Sequence, residues 1–381
     1  MKIQSKLPRV GTTIFTVMSQ LAAQHKAINL GQGFPDFDGP QALRDALQKH
    51  TAEGKNQYAP MIGVARLREQ IAIKTQTCYQ YQANPDTQIT ITSGATEAIF
   101  CAIAATVRTG DEVIVFDPCF DCYEPAIELQ GAKTIHIPLT IPSFQIDWQR
   151  VRDAMTSRTR MIIINSPHNP SGAAMSSHDL QTLADLTRNT DIIVLSDEVY
   201  EHIIFDGQEH QSVLRHVELA ARSFVVSSFG KTFHCTGWKL GYCIAPPSLT
   251  NELRKIHQYI TFCSFHPAQW ALADVLEQHP EHYQQLPEFY QAKRDLFRTL
   301  LAPSRFQLLD VAGGYFQVVD YSTISERDDL SFCEWLCIEK GIAAIPLSSF
   351  YETPPSLRLV RLCFAKTQTT LEQAAAKLTS I

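Results

Sequence analysis

Lys231 follows the apolar run Ser223-Phe-Val-Val within Ser228-Phe-Gly-Lys231-Thr232, and Gly237-Trp-Lys239-Leu-Gly241 comes shortly after it. A lysine at the mouth of a strand can lose its water, lower its pKa and condense with an aldehyde. A solvated loop lysine is the ordinary alternative, and the motif alone leaves the two readings even. Asn165-Ser-Pro-His-Asn169-Pro170-Ser-Gly172 makes a rigid turn able to aim an amide, and Ser196-Asp197-Glu198-Val-Tyr200 sets two carboxylates and a phenol side by side. Turn chemistry and helix capping explain either segment taken alone. Ser93-Gly94-Ala95-Thr96-Glu97 opens an apolar helix whose first free N–H groups suit a phosphate, although the same residues also read as a capping box. Asp117-Pro-Cys-Phe120-Asp-Cys-Tyr123 adds an aromatic platform.

The elements around these segments explain why they matter together. Short, largely β-branched runs at 88–92, 112–116, 134–137, 160–164, 192–195, 223–226 and 240–244 read as seven strands, with helical periodicity between several of them. They predict an α/β fold built on a mainly parallel sheet between helices. Each segment with chemistry lies at a strand's C-terminal end, where ligands bind in such sheets. From 249 to 301 the pattern is helical, interrupted by His266-Pro267, Pro280 and Pro287; beyond Pro303 it becomes a smaller α+β mixture, joined by the N-terminal segment. The expected division is an arm at 1–45, a large domain at 46–285 and a small domain at 286–381. Lysine, aspartate, asparagine, tyrosine, a phosphate cradle and an aromatic platform form the set that would hold a phosphorylated pyridine aldehyde.

The chain resembles the fold-type I pyridoxal-phosphate aminotransferases over essentially its whole length. Asn29-Leu-Gly-Gln-Gly33-Phe-Pro-Asp, Asn56-Gln-Tyr58, Phe120-Asp-Cys-Tyr-Glu-Pro and Gly-Lys-Thr-Phe are similar to the kynurenine/glutamine transaminase K branch, which includes bacterial methionine aminotransferases. The resemblance implies that Lys231 bonds pyridoxal 5'-phosphate as a Schiff base and shuttles the substrate proton, while Asp197 pairs with the ring nitrogen. Asn169 and Tyr200 would bond the ring's phenolate oxygen, and Phe120 would stack on the ring. The phosphate would rest on Gly94, Ala95, Thr96, Ser228 and Lys239, with Tyr58 arriving from a second subunit. Arg361 would grip the substrate α-carboxylate, with Asn169, Gly33 and Phe15 also at the substrate and Phe262, from the same or the second subunit, a further pocket candidate. Lys239 departs from the arginine of many relatives, and Gly230 from their serine. No counterpart of the second arginine of aspartate-specific members is evident. The expected reaction is therefore ping-pong transamination of a hydrophobic or sulfur-containing amino acid, methionine first, by a homodimer. A C–S β-lyase shares the early chemistry, and a non-catalytic sensor is disfavoured because the arm before Asn29 is too short for a DNA-binding module.

Composition agrees with small-molecule chemistry. The 381 residues carry 33 Lys+Arg against 39 Asp+Glu, a net charge of -6, which offers no field for nucleic acid or an anionic membrane. No apolar stretch approaches the roughly 20 residues of a membrane helix, and the N-terminus does not read as a secretory signal. Ten cysteines, several in apolar runs, read as reduced core residues of a cytoplasmic protein. Cys119-Phe-Asp-Cys122 has redox spacing but no supporting context, and His279-Pro-Glu-His282 lacks a third ligand, so no metal is expected. Gly31-Gln-Gly33 is too short for a dinucleotide fingerprint.

Overall fold

A computed structural model of the chain describes residues 3–381. Its centre is a seven-stranded sheet in the order Ile89–Thr92, Gly241–Ile244, Ser223–Ser228, Ile193–Asp197, Thr159–Asn165, Glu112–Asp117, Lys133–Pro138. All neighbours run parallel except Gly241–Ile244, which is antiparallel to both of its partners. The expected strands are thus all present, and their ends differ by only one or two residues. Their unbroken apolar runs have a physical cause: successive side chains point to opposite faces, and both faces are covered. Ile114, Ile162 and Val194 enter one core, while Val113, Met161, Ile163 and Leu195 enter the other.

The prolines that interrupt the helical stretch prove to be helix starts. Pro267 and Pro287 lie in the first turns of His266–Gln278 and Leu286–Leu301, as Pro247 does in Pro247–Ile260, and Pro280 immediately precedes the short helix Glu281–Gln284. An N–H missing there costs nothing, since first-turn donors lack intrahelical acceptors anyway. The expected boundary at 285/286 coincides with the start of Leu286–Leu301, whereas 45/46 falls inside helix Gln41–Ala52, which packs on His266–Gln278.

Beyond Leu301 a four-stranded antiparallel sheet forms in the order Ile345–Pro346, Leu359–Cys363, Phe316–Asp320, Gln307–Leu308. The N-terminal segment joins this part of the molecule. Ile28–Asn29 pairs in parallel with Ile342–Ala343, and helix Ile14–His25 packs on helix Asp329–Lys340. That arrangement carries Gln32, Gly33 and Phe15 over the C-terminal edge of the large sheet, onto the same cavity as Lys231.

Candidate active site

A cavity of about 330 Å³ opens at the C-terminal edge of the large sheet. Gly94, Ala95, Thr96, Phe120, Asn169, Asp197, Tyr200, Ser228, Lys231 and Lys239 line it, and Phe15, Gly33 and Arg361 come to it from the arm and the smaller sheet. Tyr58 and Phe262 do not. Tyr58 is 82% exposed and stacks edge-on against Phe262 at 5.4 Å, outside the cavity of its own chain.

Lys231 sits in the single helical turn Phe229–Thr232 directly after strand Ser223–Ser228. Its Nζ donates to the Gly33 carbonyl at 3.1 Å, and the same oxygen accepts the Tyr315 hydroxyl at 2.5 Å. Burial pulls the lysine down to about 8, with the charges of Arg361 and Lys239 acting in the same direction. The amine is therefore partly neutral near physiological pH, as a nucleophile toward an aldehyde must be. A Cβ on Gly33 would lie 2.8 Å from Cζ of Phe316, so any side chain there would have to displace that ring.

Asp197 ends strand Ile193–Asp197 and is buried. Burial pushes its carboxyl up to about 6, although Oδ2 accepts the Tyr123 hydroxyl at 2.6 Å. Tyr123 had only a place in a motif in the sequence; its bond orients the carboxylate. Asn165 likewise emerges as a support: its Nδ2 donates to the Asp197 carbonyl at 2.9 Å and its Oδ1 accepts the Asn169 N–H at 2.8 Å. Asn169 Oδ1 in turn accepts from Nη1 of Arg361 at 2.7 Å, which leaves the amide nitrogen of Asn169 free to donate.

Arg361 is 1% exposed, and burial lowers its pKa to about 10. Nη2 donates to the Gly31 carbonyl at 2.6 Å, the guanidinium carbon lies 3.9 Å from the centroid of the Phe316 ring, and Nε has no partner. A buried guanidinium with an unused donor is a fork waiting for a carboxylate.

The phosphate cradle differs from an ordinary capping box. Gly94 caps helix Ala95–Thr106 with no side-chain bond, and Ser93 Oγ turns away to Ser264 Oγ at 3.0 Å. Only the reach-back half exists, as Glu97 accepts the Ser93 N–H at 2.9 Å. The amides of the first turn are left to an outside acceptor, at the positive end of the helix. Gly94 has φ +80°, and a Cβ there would touch Nζ of Lys239 at 3.4 Å, so a side chain would fill the cradle. These donors fit a phosphate, the buried carboxylate fits a protonated ring nitrogen, and the depressed lysine fits an aldehyde. Pyridoxal phosphate carries all three groups.

Fold and site together define a fold-type I pyridoxal-phosphate enzyme acting on an amino acid. Residues 25–378 match the model of aminotransferase class I and II, and the chain belongs to that family; it is a pyridoxal-phosphate-dependent aminotransferase. It is 54% identical to the methionine aminotransferase of Escherichia coli over 375 residues, which span 98% of this chain and 97% of that one. The solved E. coli structure, assigned a methionine aminotransferase function, superposes with a TM-score of 0.98 at 53% identity and full coverage of both chains. Kynurenine–oxoglutarate transaminase 3 of Rattus norvegicus is 33% identical over 98% of this chain and 89% of its own. Among the described residues no helix is long and apolar enough to cross a membrane.

Proposed function

We propose that this aminotransferase takes the amino group of methionine and other long uncharged amino acids, including aromatic ones, leucine and glutamine, and passes it to a 2-oxo acid. The carrying observation is a count of charge. The cations of the cavity are Lys231, Lys239 and Arg361, and they are assigned in turn to the cofactor aldehyde, the phosphate and the substrate α-carboxylate. None remains for a side-chain carboxylate, whose burial without a partner costs several kcal/mol. The rings of Phe15, Phe120 and Phe316 suit an apolar side chain, and a thioether gains about 0.3–1.5 kcal/mol against an aromatic ring. The name of the E. coli relative supports the same donor.

Bound pyridoxal phosphate supplies an aldehyde for the substrate amine and a protonated ring that draws off the electron pair left at the substrate Cα. In this reading Arg361 holds the α-carboxylate and thereby fixes which Cα bond faces the ring. Lys231, freed by the incoming amine, takes the Cα proton on Nζ and delivers it elsewhere on the adduct. Asp197 keeps the ring nitrogen protonated, and Asn169 and Tyr200 donate to the ring oxygen. Phe120 covers one face of the ring, while Gly94, Ala95, Thr96, Ser228 and Lys239 anchor the phosphate.

The exposed Tyr58, with Tyr259, Ile260 and Phe265 exposed on the Phe262 stretch of chain, supports a homodimer in which Tyr58 reaches the phosphate of the second copy. Free cysteines throughout suit the reducing cytoplasm. The division into an arm (1–45), a large domain (46–285) and a small domain (286–381) belongs to the same reading. Specificity constants for transamination of methionine, phenylalanine and aspartate, with pyruvate plus ammonia release from a cysteine S-conjugate followed in parallel, test it. Methionine or phenylalanine should lead; aspartate leading refutes the substrate class, and dominant pyruvate release from the cysteine S-conjugate assigns the β-lyase instead.

A further inference from the structure

One charged side chain in the cavity has no part in the chemistry above. Asp121 follows Phe120 and borders the same space as Arg361, Phe15 and Phe316. The other carboxylate of the cavity is engaged, since Asp197 accepts from Tyr123, and outside it Glu124 and Glu352 pair with Arg9. Asp121 instead borders the cavity with no ion-pair partner among the described residues, and much of its surface stays open to solvent. Partial burial pushes its pKa up, and the charge of Arg361 across the cavity pulls it back.

We infer that Asp121 is a specificity-determining residue that repels acidic side chains, so that dicarboxylic substrates are rejected actively and not merely left without a partner. The inference rests on the reading of Arg361 as the α-carboxylate clamp. A substrate anchored there sends its side chain into a cavity that Asp121 borders. A second substrate carboxylate would share the cavity with a like charge that no cation neutralises, while an uncharged side chain meets no such opposition. Like-charge juxtaposition of this kind is a common route to selectivity.

The test is a graded series in the cofactor-loaded enzyme: wild type, Asp121→Asn and Asp121→Lys. The readout is the specificity constant for glutamate divided by that for methionine. Removing the charge should raise the ratio by about tenfold, and reversing it should raise it further. In parallel, the inhibition constant of maleate should fall along the series relative to that of butyrate, which needs no turnover and so keeps the inference testable if a variant is slow. A flat ratio, or equal losses for both donors in both variants, overturns the role of Asp121. A wild type that already prefers glutamate or aspartate to methionine overturns the underlying substrate reading, a distinct outcome.

Discussion

Arg361 donates through Nη1 to the side-chain oxygen of Asn169 at 2.7 Å, across 192 residues of sequence. One bond therefore joins strand Leu359–Cys363 of the small sheet to the turn after strand Thr159–Asn165 of the large one. If the carboxylate clamp and the ring-facing amide work as a unit, their losses should not add. Arg361→Lys should lower kcat/KM for methionine by about 10²-fold or more, because it removes both the fork and a buried bond. Combined with Asn169→Ala, it should cost about 0.5–3 kcal/mol less than the sum of the single changes. Strict additivity in the double-mutant cycle would show that the bond is idle.

Burial sets the reactivity of Lys231. With its amine brought down to about 8, capture of pyridoxal phosphate by the cofactor-free protein should speed up by about tenfold per pH unit below 8 and then level off. Borohydride reduction followed by peptide mapping should place the label on Lys231. A midpoint near the usual lysine value, or label on another lysine, contradicts the assignment.

For Asp197 the sign runs the other way. Its carboxyl is raised from 3.8 to about 6, so the folded state disfavours the ionised form. That penalty is absent below the unfolded value, grows as pH rises between the two and is complete above about 6. It amounts to about 3 kcal/mol at pH 8 and roughly half of that at pH 5. Cofactor-free Asp197→Asn should thus melt no lower than wild type at pH 8, with any advantage shrinking toward pH 5. Turnover of the loaded variant should nevertheless fall by about 10²–10³-fold. Near-normal turnover with cofactor bound would remove Asp197 from its role.

Gly241 lets its strand pass close behind the phosphate cradle. A Cβ there would lie 2.6 Å from the Ser227 carbonyl oxygen and 2.9 Å from both Ala95 N and Gly94 C. Gly241→Ala should destabilise the fold by about 1–3 kcal/mol in urea titrations, and it should weaken pyridoxal phosphate binding by displacing the amides that hold the phosphate. Unchanged cofactor affinity would mean that the cradle does not include this turn.

Sedimentation at assay concentration should find a dimer, and Tyr58→Phe should raise the dissociation constant of the cofactor while leaving the dimer intact. A fully active monomer would contradict the shared site.

Much of this was legible from local pattern. The strands declared themselves because sheet burial on both faces demands consecutive apolar residues, and parallel strands bring their C-terminal ends to one edge, so motifs at 93–97, 165–172, 196–200 and 228–231 had to converge. Resemblance to a family added the roles. The roles of Tyr123 and Asn165 were hidden, since an ordinary tyrosine and asparagine give no signal until a partner is in place. The capping motif at Ser93 was ambiguous for a related reason: its residues satisfy two chemistries, and the contact of Ser93 with Ser264 decides between them.

By itself, then, the sequence determined the α/β sheet, the lysine, the aspartate and the glycine-opened helix, because each depends on neighbours close along the chain. Local pattern did not bring Arg361 and Gly33 to Lys231 or send Tyr58 elsewhere, which only the resemblance implied; tertiary structure gathers them with Phe316 in one cavity, borders it with the unpaired Asp121, and leaves Tyr58 outside the cavity of its own chain. The register that sets Val318 opposite Arg361 in the small sheet, and the docking of the arm strand on Ile342–Ala343, fix those directions. Such pairings are made across long stretches of chain by packing and hydrogen bonding, and no periodicity along the chain encodes them.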